Sequence, residues 1–183
     1  MPKPVVLCVI GLQNSGKTRL VMDLVRLLRE KHLTVAVLKH DGHADERMSN
    51  DWQKPGSDTE LYRQAGARMT MVAGGGQSLI HIAKDDEASQ AEQLCQRIAM
   101  MAELQGQPLN VILVEGYKMS SLPKIAVIRT PEHLQWIKEH QIINLKGVYA
   151  ASGLRELADG PWQVYYEEDI EYLVKDFFGN QFT

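Results

Sequence analysis

Apolar residues in the first part of this chain fall into two short continuous runs separated by a longer run with helical spacing. Val5–Ile10 is apolar throughout and rich in β-branched residues, which predicts a strand buried on both faces. Residues 17–31 place their apolar side chains on one helical stripe, and residues 34–38 predict a second buried strand. Together these segments predict a βαβ unit with a right-handed crossover.

The rest of the chain continues this alternation of strands and helices. Residues 41–57 are polar and lack periodicity, and Ser57 followed by Glu60 predicts a capping box and a helix that runs to about Gly66. Further strands are predicted at 69–73, 78–83, 111–114, 124–128 and 147–151, and further helices at 90–105, from Pro131, and over 170–178. The pattern predicts an α/β three-layer sandwich around a mainly parallel sheet, formed by one domain over residues 1–183.

Composition and charge argue against two classes of partner. The formal charge of −3 and the pI near 6.1 do not favour a general nucleic-acid binder or a protein of membrane surfaces, and no run of 18 apolar residues predicts a membrane span. Cys8 and Cys95 lack a CxxC or Cys/His cluster and are expected to be buried small residues. With no signal-peptide pattern at the N-terminus, we expect a cytoplasmic protein in a reducing compartment.

The segment GLQNSGKT at residues 11–18 matches the phosphate-loop motif G-x-x-x-x-G-K-[ST], between a predicted strand and an amphipathic helix. Glycines let the backbone approach phosphates closely, and the N–H groups at a helix N-terminus bind anions. The fold is therefore predicted to be P-loop NTPase-like, with Mg²⁺ on the hydroxyl of Thr18. The residues predicted to bind the nucleotide are Gly11, Gln13, Asn14, Ser15, Gly16, Lys17 and Thr18. The motif leaves the base and the reaction open.

Polar side chains also follow the second predicted strand, in the run Lys39-His40-Asp41-Gly42-His43. Ligands lie beyond the carboxyl ends of the strands in open α/β sheets. Asp41 is therefore a candidate to hold Mg²⁺ through water or to act in catalysis, and His40 is a candidate to contact a phosphate. The alternative is a solvated polar loop. A zinc site at His40, Asp41 and His43 is disfavoured, because no fourth ligand is evident.

Two further carboxylates are candidates for the Mg²⁺ region. The run VILVEG places Glu115 at the end of an apolar strand, in the form of a Walker B segment, where it would hold Mg²⁺ or polarise an attacking water. Asp58 is either a charge that suits a helix start or a ligand to Mg²⁺-bound water. Lys118 and Lys124 either neutralise phosphate, bind an anionic partner, or are solvated surface lysines.

The motifs as an ordered set resemble the molybdopterin-guanine dinucleotide biosynthesis adapter proteins, the MobB family. The segments that carry the resemblance are GLQNSGKT, LKHDGH at 38–43, SDTELYRQAGA at 57–67, LVEGYK at 113–118 and PKIAVIR at 123–129. The resemblance implies a homodimer that binds GTP and Mg²⁺, hydrolyses GTP weakly at most, and assists a guanylyltransferase and other cofactor-maturation proteins. It maps Gly16, Lys17 and Thr18 onto the phosphate site, and Asp41 and Glu115 onto the Mg²⁺ region.

Two other functions stay open at the level of the residues. In a small-molecule kinase, Asp41 would be the base and residues 41–57 a lid, although Arg47 is the only arginine there. A metallochaperone-type GTPase would need a metal site, for which the chain offers His40 and His43. No N-K-x-D segment is present to recognise guanine, so the preference for GTP over ATP follows from the resemblance alone.

Overall fold

The computed structural model describes residues 3–40, 56–82, 91–151, 154 and 161–182. Strands and helices in these ranges end within about two residues of the predicted positions, apart from one additional strand. In chain order the elements are β1 (Val5–Ile10), α1 (Lys17–Glu30), β2 (Val35–Lys39), α2 (Asp58–Gln64), β3 (Met69–Gly74), β4 (Gln77–Ile82), α3 (Ala91–Leu104), β5 (Val111–Glu115), β6 (Lys124–Ile128), α4 (Pro131–Glu139), β7 (Leu145–Ala150), β8 (Gln163–Tyr166) and α5 (Ile170–Phe178).

Six of the strands form one parallel sheet in the order β2-β5-β1-β6-β7-β8. The central strands are apolar on both faces because both faces are covered: Leu7 and Val9 pack on the side of α1 and α5, whereas Cys8 and Ile10 pack on the side of α3 and α4. This arrangement confirms the predicted three-layer α/β sandwich with a mainly parallel sheet. Within the described ranges, every helix falls short of the length and apolar character that a membrane span requires.

The strand β8 was not predicted, and it extends the sheet beyond β7. Tyr165 in this strand is 1% exposed, and its hydroxyl donates a hydrogen bond to the carboxylate of Asp176. Burial, with the nearby Asp176, raises the pKa of Tyr165 well above its usual value. Gly147 makes room for the ring, because a Cβ there would lie 2.8 Å from Cε2 of Tyr165. The contacts of Tyr165 with Asp176 and Gly147 therefore help to hold β8 at the edge of the sheet.

Residues 41–89 form a compact unit of their own, distinct from the unit made by residues 1–40 and 90–183. Its described part contains α2 and an antiparallel hairpin of β3 and β4, joined through Gly75 and Gly76 at φ 58° and 77°. Positive φ at both central residues is the requirement of a type I′ hairpin turn, which glycine meets without strain. The single-domain hypothesis for the chain stays a prediction.

The predicted capping box at the start of α2 is wrong. The Ser57 hydroxyl makes no bond to the helix backbone and instead lies 3.2 Å from the hydroxyl of Thr59. The carboxylate of Glu60 accepts the N–H of Gly56, one residue earlier than the box requires. The carboxylate still satisfies a backbone donor at this helix start, so the helix forms as predicted with different contacts.

Candidate nucleotide-binding site

The candidate site lies at the carboxyl edge of the sheet, where β1, β5 and β2 end side by side. Val9 pairs with Glu115 and Lys39 pairs with Glu115 in the parallel ladders. The loop of residues 11–18 leaves β1 at this edge and runs directly into α1. The strand order therefore places the phosphate-loop motif beside the acid of the Walker B-like segment, as expected for ligand sites in parallel α/β sheets.

The backbone of the loop requires residues without bulky side chains at both of its glycines. Gly16 adopts φ 95° and begins α1, and Asn14 adopts φ 60°. A Cβ at Gly11 would lie 2.7 Å from the Ser15 Oγ and 3.1 Å from the Val127 carbonyl oxygen, so a side chain there would displace the loop. The Ser15 hydroxyl is fully buried and has no hydrogen-bond partner within the described part of the chain. Gln13 and Asn14 are exposed.

Lys17 folds back across the loop that precedes it. Its ammonium donates a hydrogen bond to the Leu12 carbonyl oxygen at 2.7 Å. Burial lowers the pKa of Lys17, while the carboxylate of Glu115 acts in the opposite direction and Lys39 adds to the lowering. The first turn of α1 contains no acid of its own, and the Glu115 carboxylate lies against Thr18 at the positive end of the helix dipole. The loop is thus built to receive an anion.

Thr18 and Glu115 bring oxygen atoms together at the other end of the loop. The Thr18 hydroxyl lies 3.0 Å from Oε1 and 3.1 Å from Oε2 of Glu115, and the Lys39 ammonium lies 3.7 Å from Oε1. Glu115 is 8% exposed, and its carboxylate is constrained by the contacts with Thr18 and Lys39. A hydroxyl and a carboxylate oxygen are ligands that Mg²⁺ accepts, together with phosphate oxygens and water. The residues present therefore fit a nucleotide with its metal ion.

His40, after β2, contacts the segment that follows β5. The His40 N–H donates to the Glu115 carbonyl oxygen at 2.9 Å, and the rings of His40 and Tyr117 are 4.4 Å apart. Gly116 at φ 97° allows this approach, because a Cβ there would lie 3.0 Å from the Cβ of His40. Asp41 lies outside the described residues, so its predicted catalytic and Mg²⁺-binding roles stay predictions.

Asp58 lies in the first turn of α2, within the unit of residues 41–89. Its placement there agrees with a charge that suits a helix start, and its role at Mg²⁺ stays a prediction. Among the described residues, no group of three or more His, Cys, Asp or Glu side chains is arranged to hold a metal ion. Within residues 1–40 and 90–183, the Glu115 carboxylate and the Thr18 hydroxyl are the oxygen donors that the loop brings together.

Two basic residues have roles that the sequence analysis missed. Lys124 is not a solvated or phosphate-binding lysine: it is fully buried, and its ammonium donates to the carbonyl oxygens of Ser120, Leu122 and Ile143. Burial lowers the pKa of Lys124. Arg129 donates from Nε to the Ser15 carbonyl oxygen at 2.9 Å. Arg129 could have been suspected of a role at the loop from its position immediately after a predicted strand. No local sequence pattern indicated that Lys124 would be buried.

The fold and this site define a protein of the P-loop NTPase-like class: it has a parallel sheet, a glycine-bounded loop at a helix start, and a lysine, a threonine and an acid near that loop. The sequence profile of a known family narrows this class. This chain belongs to the family described as molybdopterin guanine dinucleotide synthesis protein B, or MobB, whose profile matches residues 6–147.

Individual relatives agree with the family. A probable molybdopterin-guanine dinucleotide biosynthesis adapter protein of Bacillus subtilis (strain 168) is 29% identical over 142 residues, 78% of this chain and 75% of that protein. The Escherichia coli (strain K12) adapter protein is 31% identical over 117 residues, 63% of this chain and 61% of that protein. The crystal structure of a MobB homolog from Bacillus stearothermophilus superposes with a TM-score of 0.62 at 25% identity, covering 94% of this chain and 97% of that one.

We predict that Lys124→Met lowers the free energy of unfolding by about 3–5 kcal/mol, because three buried carbonyl oxygens lose their charged donor. Urea denaturation followed by circular dichroism measures this change. Lys138→Met on the exposed face of α4 is the matched control and should change stability by no more than about 0.5 kcal/mol. Equal stability of the two variants would contradict a structural role for the Lys124 ammonium.

Proposed function

We propose that this protein binds GTP with Mg²⁺ at the loop of residues 11–18 and presents the nucleotide to the guanylyltransferase that attaches GMP to molybdopterin. The observation that carries the proposal is the convergence of Lys17, Thr18 and Glu115 at one edge of the sheet. This is the set of side chains that a P-loop uses on phosphates and their metal ion. The family to which the chain belongs, described as molybdopterin guanine dinucleotide synthesis protein B, supports a role in that synthesis.

Each of these side chains has a distinct part in binding. The Lys17 ammonium, which rests on the Leu12 carbonyl oxygen, moves to a phosphate oxygen when nucleotide enters. The hydroxyl of Thr18 and the carboxylate of Glu115 would hold the metal ion, which would supply positive charge to the phosphates. Lys39, 3.7 Å from the same carboxylate, adds positive charge at this end of the site. His40 and Asp41 are the candidates from the neighbouring loop, Asp41 as a metal or catalytic group.

Guanine as the base is supported by the product for which the family is described. A guanine dinucleotide of molybdopterin takes its guanine from a guanine nucleotide, so a protein that assists its synthesis by holding a nucleotide is expected to hold GTP.

The two buried cysteines, Cys8 and Cys95, form no disulfide bond, which fits a reducing compartment. We therefore expect the protein to act in the cytoplasm.

The contacts of Arg129 support a protein that holds the nucleotide and hydrolyses it weakly at most. A free arginine that stabilises the transition state raises hydrolysis by several orders of magnitude. Arg129 contacts the loop, but its guanidinium is engaged by the Ser15 carbonyl oxygen and by Glu167. Its position is that of a structural contact and not of a catalytic finger.

Nucleotide binding is expected to depend on Lys17 and on the base. Lys17→Ala should weaken GTP binding roughly 100-fold, because a charge-assisted bond to phosphate is lost. ATP should bind the wild-type protein more weakly than GTP. Isothermal titration calorimetry with both nucleotides measures each effect, with Lys138→Ala as the control. Equal affinity for GTP and ATP would remove the guanine claim, and undiminished binding by Lys17→Ala would remove the site.

Hydrolysis of GTP by the isolated protein is expected to be slow and to require the partner for any acceleration. Single-turnover hydrolysis with and without the guanylyltransferase measures both rates. Rapid turnover without the partner, or consumption of GTP with a small acceptor, would favour an enzyme such as a kinase over an adapter.

The Glu115→Gln variant should lose most of the Mg²⁺ dependence of GTP binding, since its side chain no longer offers a charged ligand.

We further propose that the protein is a homodimer and that the β3–β4 hairpin contributes to the interface. A two-stranded hairpin is marginally stable in water by itself. Val72 pairs with Leu79, and Met71 pairs with Ile80 on the opposite face, so both faces of this ribbon carry apolar residues. Val72, Leu79 and Met71 are 50%, 58% and 59% exposed in the single chain. Burial of these side chains by a second copy would add to the support that the hairpin receives from α2.

Leu79→Asp is expected to shift the protein from dimer towards monomer, because a carboxylate would be buried in an apolar interface. Sedimentation velocity at several protein concentrations measures the shift. Leu104→Asp is the matched control, since Leu104 on α3 is 89% exposed and lies outside the hairpin. A dimer that survives Leu79→Asp, or a wild-type protein that sediments as a monomer, would contradict the proposed interface.

A further inference from the structure

Arg129 stands at the end of the strand that flanks the phosphate loop on the side opposite Glu115. The strand β6 ends at Ile128 and pairs with β1, with Ile10 opposite Ala126. Because parallel strands end at the same edge of the sheet, the residue after β6 emerges beside the loop that follows β1. The Arg129 N–H lies 3.3 Å from the Nδ1 of His133 in the first turn of α4, which ties the backbone there to the helix.

The guanidinium of Arg129 is held from two directions. Its Nε–H donates to the carbonyl oxygen of Ser15 at 2.9 Å, and its Nη2 lies 2.8 Å from Oε1 of Glu167, the residue after β8. The Arg129 side chain is 37% exposed. Its guanidinium nevertheless makes both contacts at the same time. A planar guanidinium that uses two of its nitrogens on two partners fixes the orientation of each partner, which a flexible ammonium does not.

Gly16 shows how closely this guanidinium packs on the loop. A Cβ at position 16 would lie 2.7 Å from Nε, 3.0 Å from Nη2 and 3.2 Å from Cζ of Arg129. A side chain at position 16 would therefore push the guanidinium away from the loop, and the φ of 95° separately favours glycine there. The contact is between the arginine and the Ser15–Gly16 peptide, and the carbonyl side of that peptide faces the guanidinium.

The geometry of a peptide group turns this contact into a role in phosphate binding. A trans peptide is planar, so its C=O and its N–H point in opposite directions. When Arg129 holds the Ser15 carbonyl oxygen, it also sets the direction of the Gly16 N–H, which stands at the start of α1. The N–H groups at this position of a P-loop are donors to the bound phosphates.

We propose that Arg129 is a positioning residue for nucleotide binding: it fixes the Ser15–Gly16 peptide so that the Gly16 N–H faces the phosphates, and Glu167 holds Arg129 in place. The inference rests on the proposed nucleotide function, which it deepens. Arg129 acts through the loop backbone and touches no phosphate itself. Its positive charge alone does not perform this role, because the bond to Ser15 comes from the guanidinium edge.

The test compares GTP affinity of Arg129→Ala, Arg129→Lys and Glu167→Gln in calorimetric titrations. Arg129→Ala should bind GTP roughly 10- to 100-fold more weakly, the size of a lost charge-assisted hydrogen bond. Arg129→Lys keeps the charge but loses the planar fork, and it should fall close to the alanine variant. Glu167→Gln should give a smaller loss in the same direction. The control Arg26→Ala removes an equal charge from an ion pair with Asp23 on α1 and should bind normally.

Chemical rescue separates this role from a general effect on stability. Methylguanidinium should restore GTP affinity to Arg129→Ala, whereas KCl at the same ionic strength should not, and Lys17→Ala should show no rescue. Arg129→Ala that binds GTP within about twofold of wild type, or Arg129→Lys that binds as wild type does, would overturn the proposal. If Arg129→Ala does not fold, Glu167→Gln decides in its place: a loss of affinity supports the proposal, and unchanged affinity overturns it.

The two proposals can fail separately. If Lys17→Ala abolishes GTP binding while the Arg129 and Glu167 variants bind normally, the positioning role is wrong and the nucleotide site stands. If wild-type protein binds no nucleotide, or Lys17→Ala binds as well as wild type, the proposed function fails and the role of Arg129 falls with it.

Discussion

Parallel hydrogen bonding of β1 to β5 on one side and to β6 on the other is the constraint on which the candidate site depends. The register sets Val9 opposite Glu115 and Ile10 opposite Ala126, so the ends of all three strands meet at one edge. A shift of one residue in either ladder would turn the shifted strand's side chains to the other face of the sheet. A shift in the β1–β5 ladder would break the contact of Thr18 with Glu115.

The sheet and the loops of the site are stabilised by different interactions. Apolar burial on both faces holds the central strands, whereas buried polar contacts hold the loops. Lys124 gathers three carbonyl oxygens from the segment after β5 and from Ile143, and Arg129 binds the carbonyl oxygen of Ser15. Glu167, which anchors Arg129, lies beyond residues 6–147 that match the family profile. The described site therefore combines the family motifs with the chain's C-terminal segment.

Prediction from the sequence succeeded where the pattern is local and strong. Continuous apolar runs gave β1 and β5, and the phosphate-loop motif lies at the start of α1 as expected. The four residues QVYY of β8 were missed because a segment this short does not establish a strand period. The capping box failed because side chains of Ser57 and Glu60 found other neighbours, which spacing does not reveal.

The sequence by itself determined the class of fold, the phosphate loop and the set of polar residues at the strand ends, because these depend on spacing within a few residues. Only the tertiary structure decided which of those residues meet. Thr18 and Glu115 are 97 residues apart in the chain, and Ser15 and Arg129 are 114 apart. Such contacts follow from strand order and register, and burial converts Lys124 from a candidate surface charge into an internal donor. A single sequence holds no local pattern that specifies these distant pairs.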